Sequence, residues 1–170
     1  HSNSGMLGGM FNAMLVSLSF VEKNMKSVLQ KTVDMIPHES EYYTVVKYAL
    51  DLCKTEKEWD EAWKKVEEKY KEYNWIHAYP NVAAEIIALW YGNDEFEKTC
   101  HIIAMEGQDV DCTAAPVLNA LLCMIGLETV GEHWIKPIGK NIATLMRRMR
   151  NLTIDELCEK TVNAVRKATA

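Results

Sequence analysis

The chain has 170 residues and a formal net charge of -5, from 19 basic and 24 acidic side chains. Its hydrophobic fraction of 48% excludes a disordered chain, and its acidic balance argues against a general nucleic-acid binder, which must neutralise phosphates. The longest nearly uncharged stretch, 113–127, is too short to cross a bilayer and is broken by Pro116 and Asn119. We assign 7–170 to one domain and interpret 1–6 as a cloning remnant or a disordered start.

Cysteine usage indicates a reducing compartment. Several of the cysteines lie in apolar periodic segments, where Cys behaves as a small hydrophobic residue. They lack paired spacing, and the start of the chain shows no signal-peptide pattern. We therefore expect a cytoplasmic protein without a disulfide framework. The five cysteines are Cys53, Cys100, Cys112, Cys123 and Cys158.

The first half of the chain is predicted to be helical, because apolar residues recur at three- and four-residue steps. One such face covers 10–21, and a second covers 25–36 and ends before Pro37, which disfavours helical backbone at the preceding residue. Ser40 is a suitable N-cap for a third helix. Between 56 and 73, charges surround one apolar stripe, which is typical of a helix that covers the core, with partner binding as the alternative. The stripe consists of Trp59, Trp63, Val66 and Tyr70.

The second half continues the helical pattern. Residues 74–80 are predicted to form a loop rich in ring side chains, and Asn81 is expected to cap a buried helix that ends near Gly92. Either Asn93 or Asp94 is expected to cap the next helix, which reaches Gly107. A further apolar helix covers 114–125.

Beyond Gly126, glycine and proline interrupt the chain, and 141–150 has no clear periodicity. Thr153 and Glu156 have the spacing of a capping box, which predicts a final helix to about Lys167. No convincing strand pattern is present in the sequence. The fold class is therefore all-α, a multi-helix bundle.

The most informative run is Gly107-Gln108-Asp109-Val110-Asp111-Cys112, a short loop between two apolar helices. Two carboxylates separated by one residue can turn toward a shared point in a non-helical loop. Mg²⁺, Ca²⁺ and Mn²⁺ prefer such ligands. The alternative is that Asp111 caps the following helix, as Asp often does, while Asp109 faces water. No base that would make Cys112 a nucleophile can be identified beside it.

Two other junctions offer candidate binding residues. His77 and Asn81 precede a buried helix, where their side chains either cap the helix or face a ligand. Gly8 and Gly9 precede the first helix, where glycine lets backbone N–H groups approach a phosphate or simply gives a flexible start to the helix.

Four stretches, in this order, resemble the carboxy-terminal half of the ADP-ribosylglycohydrolase family. The first is the glycine pair in 7–14, and the second is the His…Pro-Asn helix that ends in Tyr-Gly, in 77–92. The third is the short Asn-Asp…Phe link in 93–98. The fourth and most specific is the Gly-x-Asp-x-Asp-Cys signature in 107–115. The resemblance extends from Leu7 to Val165.

The resemblance implies an all-α hydrolase fold with a binuclear Mg²⁺ site, for which Mn²⁺ is an alternative. By that similarity Asp109 and Asp111 are catalytic residues, and together with Cys112 they are metal ligands. The substrate-binding residues implied by the resemblance are Gly8, Gly9, His77 and Asn81. The implied reaction removes ADP-ribose from an ADP-ribosylated protein or a small ADP-ribose conjugate by glycosidic hydrolysis.

The family's other metal ligands lie in an amino-terminal half that cannot be found in this sequence. We therefore expect a fold truncated at its amino end, inactive alone, with the missing half as a partner. No nucleic-acid or membrane partner is expected. We do expect self-association, because the apolar surface that the missing half would cover is exposed in a truncated fold.

Several positions depart from the family pattern. Cys112 stands where many members have an oxygen-bearing Thr, and a thiol is a poor ligand for Mg²⁺. Pro116 lies early in a helix, and Leu118 and Leu122 stand where Gly is frequent. The departures at Pro116, Leu118 and Leu122 favour an alternative function, a non-catalytic helical binding or scaffold module. A generic helical domain with a capped Asp-x-Asp loop is the third hypothesis.

Overall fold

The computed structural model describes residues 4–169, whose backbone is mostly helical. The chain divides into two compact units, His1–Thr129 and Val130–Ala170. The all-α prediction is confirmed. Residues 1–3 of the predicted non-native start lie outside the described residues, whereas residues 4–6 belong to the first helix. The assignment of 7–170 to a single domain stays a prediction.

The elements of the first unit, in chain order, are α1 (Ser4–Ser19), α2 (Met25–Asp34), α3 (Glu41–Thr55), α4 (Trp59–Tyr70), α5 (Ala78–Tyr91), α6 (Phe96–Met105), α7 (Val110–Ile125) and a 3₁₀ turn (Leu127–Thr129). Those of the second unit are α8 (Glu132–Ile135), β1 (Asn141–Ala143), β2 (Asn151–Thr153) and α9 (Ile154–Thr169).

Helix α5 forms the centre of the first unit. Every residue from Tyr79 to Leu89 is buried, and α5 packs against α1, α2, α3, α4, α6 and α7. A helix that is buried all round must be covered on every side, and amphipathic helices such as α2, α3 and α4 do so with their apolar faces. The largest fully buried side chains of the surrounding helices include Phe11, Leu15, Leu29, Leu50, Ile103 and Leu121.

Helices α2 to α4 form as predicted. Ser40 caps α3, since its Oγ accepts a hydrogen bond from the Tyr43 N–H at 3.0 Å, and α2 ends before Pro37. In α4, Trp63, Val66 and Tyr70 are buried while the charged residues stay on the outer side. The prediction of an amphipathic helix that covers the core is therefore confirmed.

The starts of α5 and α6 differ from the predictions. Helix α5 begins at Ala78, and His77 rather than Asn81 is its N-cap, because His77 Nδ1 accepts the Tyr79 N–H at 3.2 Å. Pro80 is tolerated because the first turn of a helix has N–H groups without intrahelical partners. Helix α6 begins after Glu95, and neither Asn93 nor Asp94 is its cap.

The glycine pair lies inside α1, so the expected helix start at Gly8 and Gly9 is wrong. Leu7, Phe11 and Leu15 are buried at four-residue spacing and hold α1 against the core despite the low helix propensity of glycine. A Cβ on Gly8 would lie 3.5 Å from the Tyr42 hydroxyl, whereas one on Gly9 would meet no atom within 4 Å.

The second unit contains the only strands among the described residues. Strands β1 and β2 pair antiparallel, with Ile142 opposite Leu152, so the prediction of no strand is wrong. Three-residue strands are too short to show an alternating pattern in a sequence. The predicted capping box is confirmed, because the Thr153 N–H donates to a Glu156 carboxylate oxygen at 2.7 Å and the Glu156 N–H donates to Thr153 Oγ1 at 3.2 Å.

All five cysteines are free thiols in the structure. Between residues 4 and 169, no helix combines the length and the apolar character that a bilayer crossing requires.

Candidate functional site

Helices α6 and α7 are joined by a tight reversal at Gly107 and Gln108. Their φ angles of 73° and 66° lie in the left-handed region. Glycine adopts this conformation readily, whereas for Gln108 it costs about 1 kcal/mol. A Cβ on Gly107 would meet no atom within 4 Å, so glycine is favoured here by the backbone conformation and not by a lack of space. The reversal brings the chain to Asp109, directly before α7.

Asn81 fixes this loop to the central helix. Its Nδ2 donates hydrogen bonds to the carbonyl oxygens of Trp75 at 2.7 Å and His77 at 2.8 Å. Its Oδ1 accepts the Asp109 N–H at 3.1 Å. Asn81 is only 8% exposed, which shields these bonds from competing water. The side chain that was expected to cap α5 therefore connects two loops, and one of them carries the candidate ligands.

The other side of the Asp109 backbone is held by α7 itself. The Asp109 carbonyl oxygen accepts the Thr113 N–H at 2.9 Å and the Thr113 hydroxyl at 3.2 Å. Thr113 is 1% exposed, so this anchor also lies in the interior. The backbone of Asp109 is thus fixed from both directions while its side chain remains half-buried at the surface.

The side chains of Asp109, Asp111 and Cys112 lie together at the start of α7. One potential ligand atom from each lies within 4.8 Å of the others, and Asp111 and Cys112 are exposed. The capping alternative for Asp111 is wrong, because α7 starts at Val110 and Asp111 lies within its first turn. Asp109 occupies the cap position but makes no side-chain capping bond. The carboxylates are therefore accessible to a cation.

The two aspartates also affect the neighbouring thiol. A hydrogen bond to Asp109, followed by the charges of Asp109 and Asp111, raises the pKa of Cys112. The direction follows because a thiolate at this point would face two negative charges.

Pro116 lies inside α7, at its seventh residue. Because α7 starts well before Thr113, Pro116 removes one backbone donor from the helix, and the Cys112 carbonyl lacks its usual partner four residues later. This departure from the family pattern therefore falls next to the candidate ligands.

Two buried carboxyl groups lie in the first unit outside this cluster. Glu106 directly precedes the reversal and is 3% exposed, and burial raises its pKa well above its usual range. Within residues 4–169 neither of its oxygens has a hydrogen-bond partner. On α5, burial raises the pKa of Glu85 to about 8, although a hydrogen bond from Asn12 opposes this shift. Sequence analysis missed both residues, because a single Glu in an apolar helix resembles a solvent-facing residue.

A cavity of about 320 Å³ lies beside Gln108, and its walls include Tyr70, Tyr73 and Trp75. Trp75 is 60% exposed and presents an aromatic surface. The Tyr70 hydroxyl is buried without a hydrogen-bond partner in the described part of the chain, and burial raises its pKa to about 12. The cavity therefore offers ring surfaces to a planar ligand, whereas the Tyr70 hydroxyl lies in the interior. The ring-rich loop was visible in the sequence, but its proximity to Asp109 was not.

The predicted substrate-binding residues are not all gathered in one place. Asn81 contacts the Asp109 loop, whereas the His77 ring packs on Tyr73 and Tyr79, with centroids 4.3 and 4.7 Å away. The substrate-binding roles of Gly8, Gly9, His77 and Asn81 stay predictions, as do the ligand roles of Asp109, Asp111 and Cys112.

Comparison with known proteins identifies one family. The family model described as ADP-ribosylglycohydrolase matches residues 1–169 of the chain. The matched range includes the Asp109 loop and the Asn81 contact to it. No curated protein and no solved structure matches the chain significantly.

Proposed function

The chain belongs to the ADP-ribosylglycohydrolase family, and we propose that it supplies part of a magnesium-assisted site that removes ADP-ribose from an acceptor. The observation that carries this proposal is the convergence of Asp109, Asp111 and Cys112 at the start of α7. In the proposed reaction water adds across the bond between ribose and acceptor, which yields ADP-ribose and the free acceptor. The proposed substrate is an ADP-ribosylated protein or a small ADP-ribose conjugate.

The donor set fits magnesium through its carboxylates. Asp109 and Asp111 offer the hard oxygen ligands that Mg²⁺ prefers, and neither is engaged in capping α7. Cys112 offers a soft sulfur ligand, which does not suit Mg²⁺. Asp109 and Asp111 are therefore the residues that we propose to hold the ion. Bound magnesium would supply charge stabilisation and orient the ribose hydroxyls and an attacking water.

This chain supplies too few ligands for two magnesium ions. Each Mg²⁺ takes about six ligands, and several of these are usually water. Among the described residues, Asp109, Asp111 and Cys112 form the one cluster of three or more His, Cys, Asp or Glu side chains that could share a cation. We therefore propose that further ligands come from another segment and that the chain alone is inactive.

The protein's own residues perform the positioning. Asn81 fixes the Asp109 backbone to α5, so the Asp109 carboxylate is attached to backbone that is held in place. The cavity beside Gln108 provides Tyr73 and Trp75 as stacking surfaces for the nucleobase of the substrate. A non-catalytic scaffold is not favoured, because the family model matches throughout the candidate site.

Metal binding by this chain can be tested with Mn²⁺ as a paramagnetic substitute for Mg²⁺. We expect Mn²⁺ to broaden the backbone amide signals of 107–113 in NMR spectra, and Asp109→Asn or Asp111→Asn to abolish this effect. Asp155→Asn is the matched control, since Asp155 is an exposed aspartate of the second unit that pairs with Lys140. Uniform broadening of exposed acidic residues, unchanged in the Asp109 variant, would contradict a specific site.

Activity is tested on the natural gene product that contains this chain. We expect it to release ADP-ribose from a mixture of ADP-ribosylated proteins when Mg²⁺ is present. Asp109→Asn and Asp111→Asn should lower the rate by at least about 100-fold, as expected when the ion that stabilises the transition-state charge loses a ligand. Full activity in these variants, or no release by the unmodified protein, would refute the proposed function.

A further inference from the structure

We infer that α9 is a self-association surface, on which the same helix of a second copy of this chain packs in antiparallel orientation. The inference concerns the second unit and goes beyond the proposed function, because it does not depend on the cluster at Asp109. It differs from the self-association predicted from the sequence, because it names the helix, the orientation and the contacts.

One side of α9 is apolar and uncovered. Residues three, four and seven positions apart lie on the same side of a helix, and five apolar residues of α9 follow this spacing. No residue of Ile154–Thr169 is buried, and the larger apolar side chains of this side expose between 41% and 56% of their surface. The five residues are Ile154, Leu157, Cys158, Val162 and Val165.

A helix of this composition depends on packing for its stability. Isolated helices of about 15 residues are marginal in water, and in proteins most of their stability comes from a packed apolar face. Helix α9 has 16 residues, several of which are β-branched and have low helix propensity. Within the second unit it contacts β2, and this contact buries none of Ile154–Thr169. The apolar side of α9 therefore lacks the packing that stabilises such a helix.

The charges of α9 favour a second copy in antiparallel orientation. The first half, 154–161, has three acidic residues and one basic residue, whereas the second half, 162–169, has two basic residues and no acidic one. The formal net charges of the halves are therefore -2 and +2. An antiparallel pair places the acidic half of each helix beside the basic half of the other, whereas a parallel pair places halves of like charge together. The charged residues are Asp155, Glu156, Glu159 and Lys160, followed by Arg166 and Lys167.

Glu159 and Arg166 are the charges that this packing engages first. Asp155 is already paired with Lys140, and Glu156 is used in the capping box of α9. Within residues 4–169, neither Glu159 nor Arg166 takes part in an ion pair. They are seven residues, or about two turns, apart at the same edge of the apolar side. In an antiparallel pair, Glu159 of one copy lies near Arg166 of the other, and the two-fold symmetry forms this contact twice.

The length of α9 sets the strength of the association. A helix of 16 residues is about 24 Å long, so two of them bury less surface than a standard interface of about 1,600 Å². We therefore expect a weak dimer with a Kd of roughly 10–100 μM. Sedimentation velocity of the full 170-residue chain, at concentrations up to about 1 mM, measures this equilibrium.

Substitutions on the apolar side test the surface. Val162→Gln combined with Val165→Gln should raise the Kd at least about tenfold, because burial of one valine side chain already contributes that much. Glutamine has a higher helix propensity than valine, so the double substitution does not weaken α9 itself. Ile138→Gln is the matched control and should leave the Kd unchanged, since Ile138 is an exposed apolar residue of the second unit outside α9.

Charge reversal tests the orientation. Arg166→Glu should weaken the dimer, because it then faces Glu159 of the other copy, and Glu159→Arg combined with Arg166→Glu should restore it. The same charges also act on the dipole of a single helix, so circular dichroism of each variant under monomeric conditions measures helix content separately.

A chain that stays monomeric up to about 1 mM would overturn the inference, since even weak specific dimers form at that concentration. A Kd that is unchanged when both valines are replaced would show that another surface associates. Failure of the double charge reversal to restore the dimer at unchanged helix content would overturn the antiparallel packing.

Discussion

Replacing Asn81 by alanine tests how the candidate site is held. Asn81 makes three hydrogen bonds, two from Nδ2 at 2.7 and 2.8 Å and one to Oδ1 at 3.1 Å. Because each such bond contributes about 1 kcal/mol net, we expect Asn81→Ala to lower the free energy of unfolding by about 3 kcal/mol. Part of this loss arises because the Asp109 N–H would then lack its partner.

Urea unfolding, followed by tryptophan fluorescence, measures this change, since Trp63 is buried in the first unit. Asn74→Ala is the matched control. Asn74 makes one exposed hydrogen bond, from the Ile76 N–H to Oδ1 at 3.1 Å, and its replacement should cost less than about 1 kcal/mol. Equal destabilisation by the two substitutions would refute the conclusion that Asn81 anchors the loop.

The same variant separates positioning from stability. In Asn81→Ala the Asp109 amide signal should move in NMR spectra, and Mn²⁺ broadening of the loop should weaken even under conditions where the protein stays folded. An unchanged Mn²⁺ effect would show that the carboxylates do not depend on Asn81 for their position.

Four further substitutions test the effects of burial, space and capping. The folded pKa of Glu85, about 8, exceeds its ordinary value of 4.5, so its stabilising contribution is complete below pH 4.5 and is lost as the pH rises toward 8. Glu85→Gln should therefore flatten the decrease of unfolding free energy with pH in urea titrations between those values, and an unchanged slope would contradict the assignment. Gly92→Ala should destabilise by about 1–3 kcal/mol, because its Cβ would lie 2.0 Å from Thr99 Oγ1. Gly9→Ala, with open space around it, should instead stabilise by about 0.5–1 kcal/mol in the same unfolding assay. Thr153→Ala should cost about 1 kcal/mol at the start of α9 and speed hydrogen exchange there, and undisturbed exchange would argue against a working capping box.

Helices with a local start signal were predictable from the sequence. Ser40 and Thr153 act through residues three positions away, so their short sequence patterns contain the whole interaction. The stripe on α4 was predictable for a similar reason, because a spacing of three and four residues already defines one face.

Features that depend on tertiary contacts were not predictable. Asn81 has the same local context as a helix cap, and only the packing of α5 against α7 brings Asp109 to its Oδ1, 28 positions along the chain. Glu106 follows an apolar helix, and only the position of that helix in the bundle buries its carboxyl group. The Asp-x-Asp run could be identified as a candidate, but whether Asp111 caps α7 depended on where that helix begins.

The hydrogen bond between Asp109 and Asn81 also has a kinetic consequence. Amides where a loop meets a helix usually exchange with solvent through small local openings. The Asp109 amide is instead bonded to a side chain on the most deeply buried helix of the first unit, so we expect it to exchange more slowly than the neighbouring amides of the loop. The backbone of a candidate metal ligand at the surface is therefore tied to the core, and substitutions in α5 that displace Asn81 should also displace the start of α7.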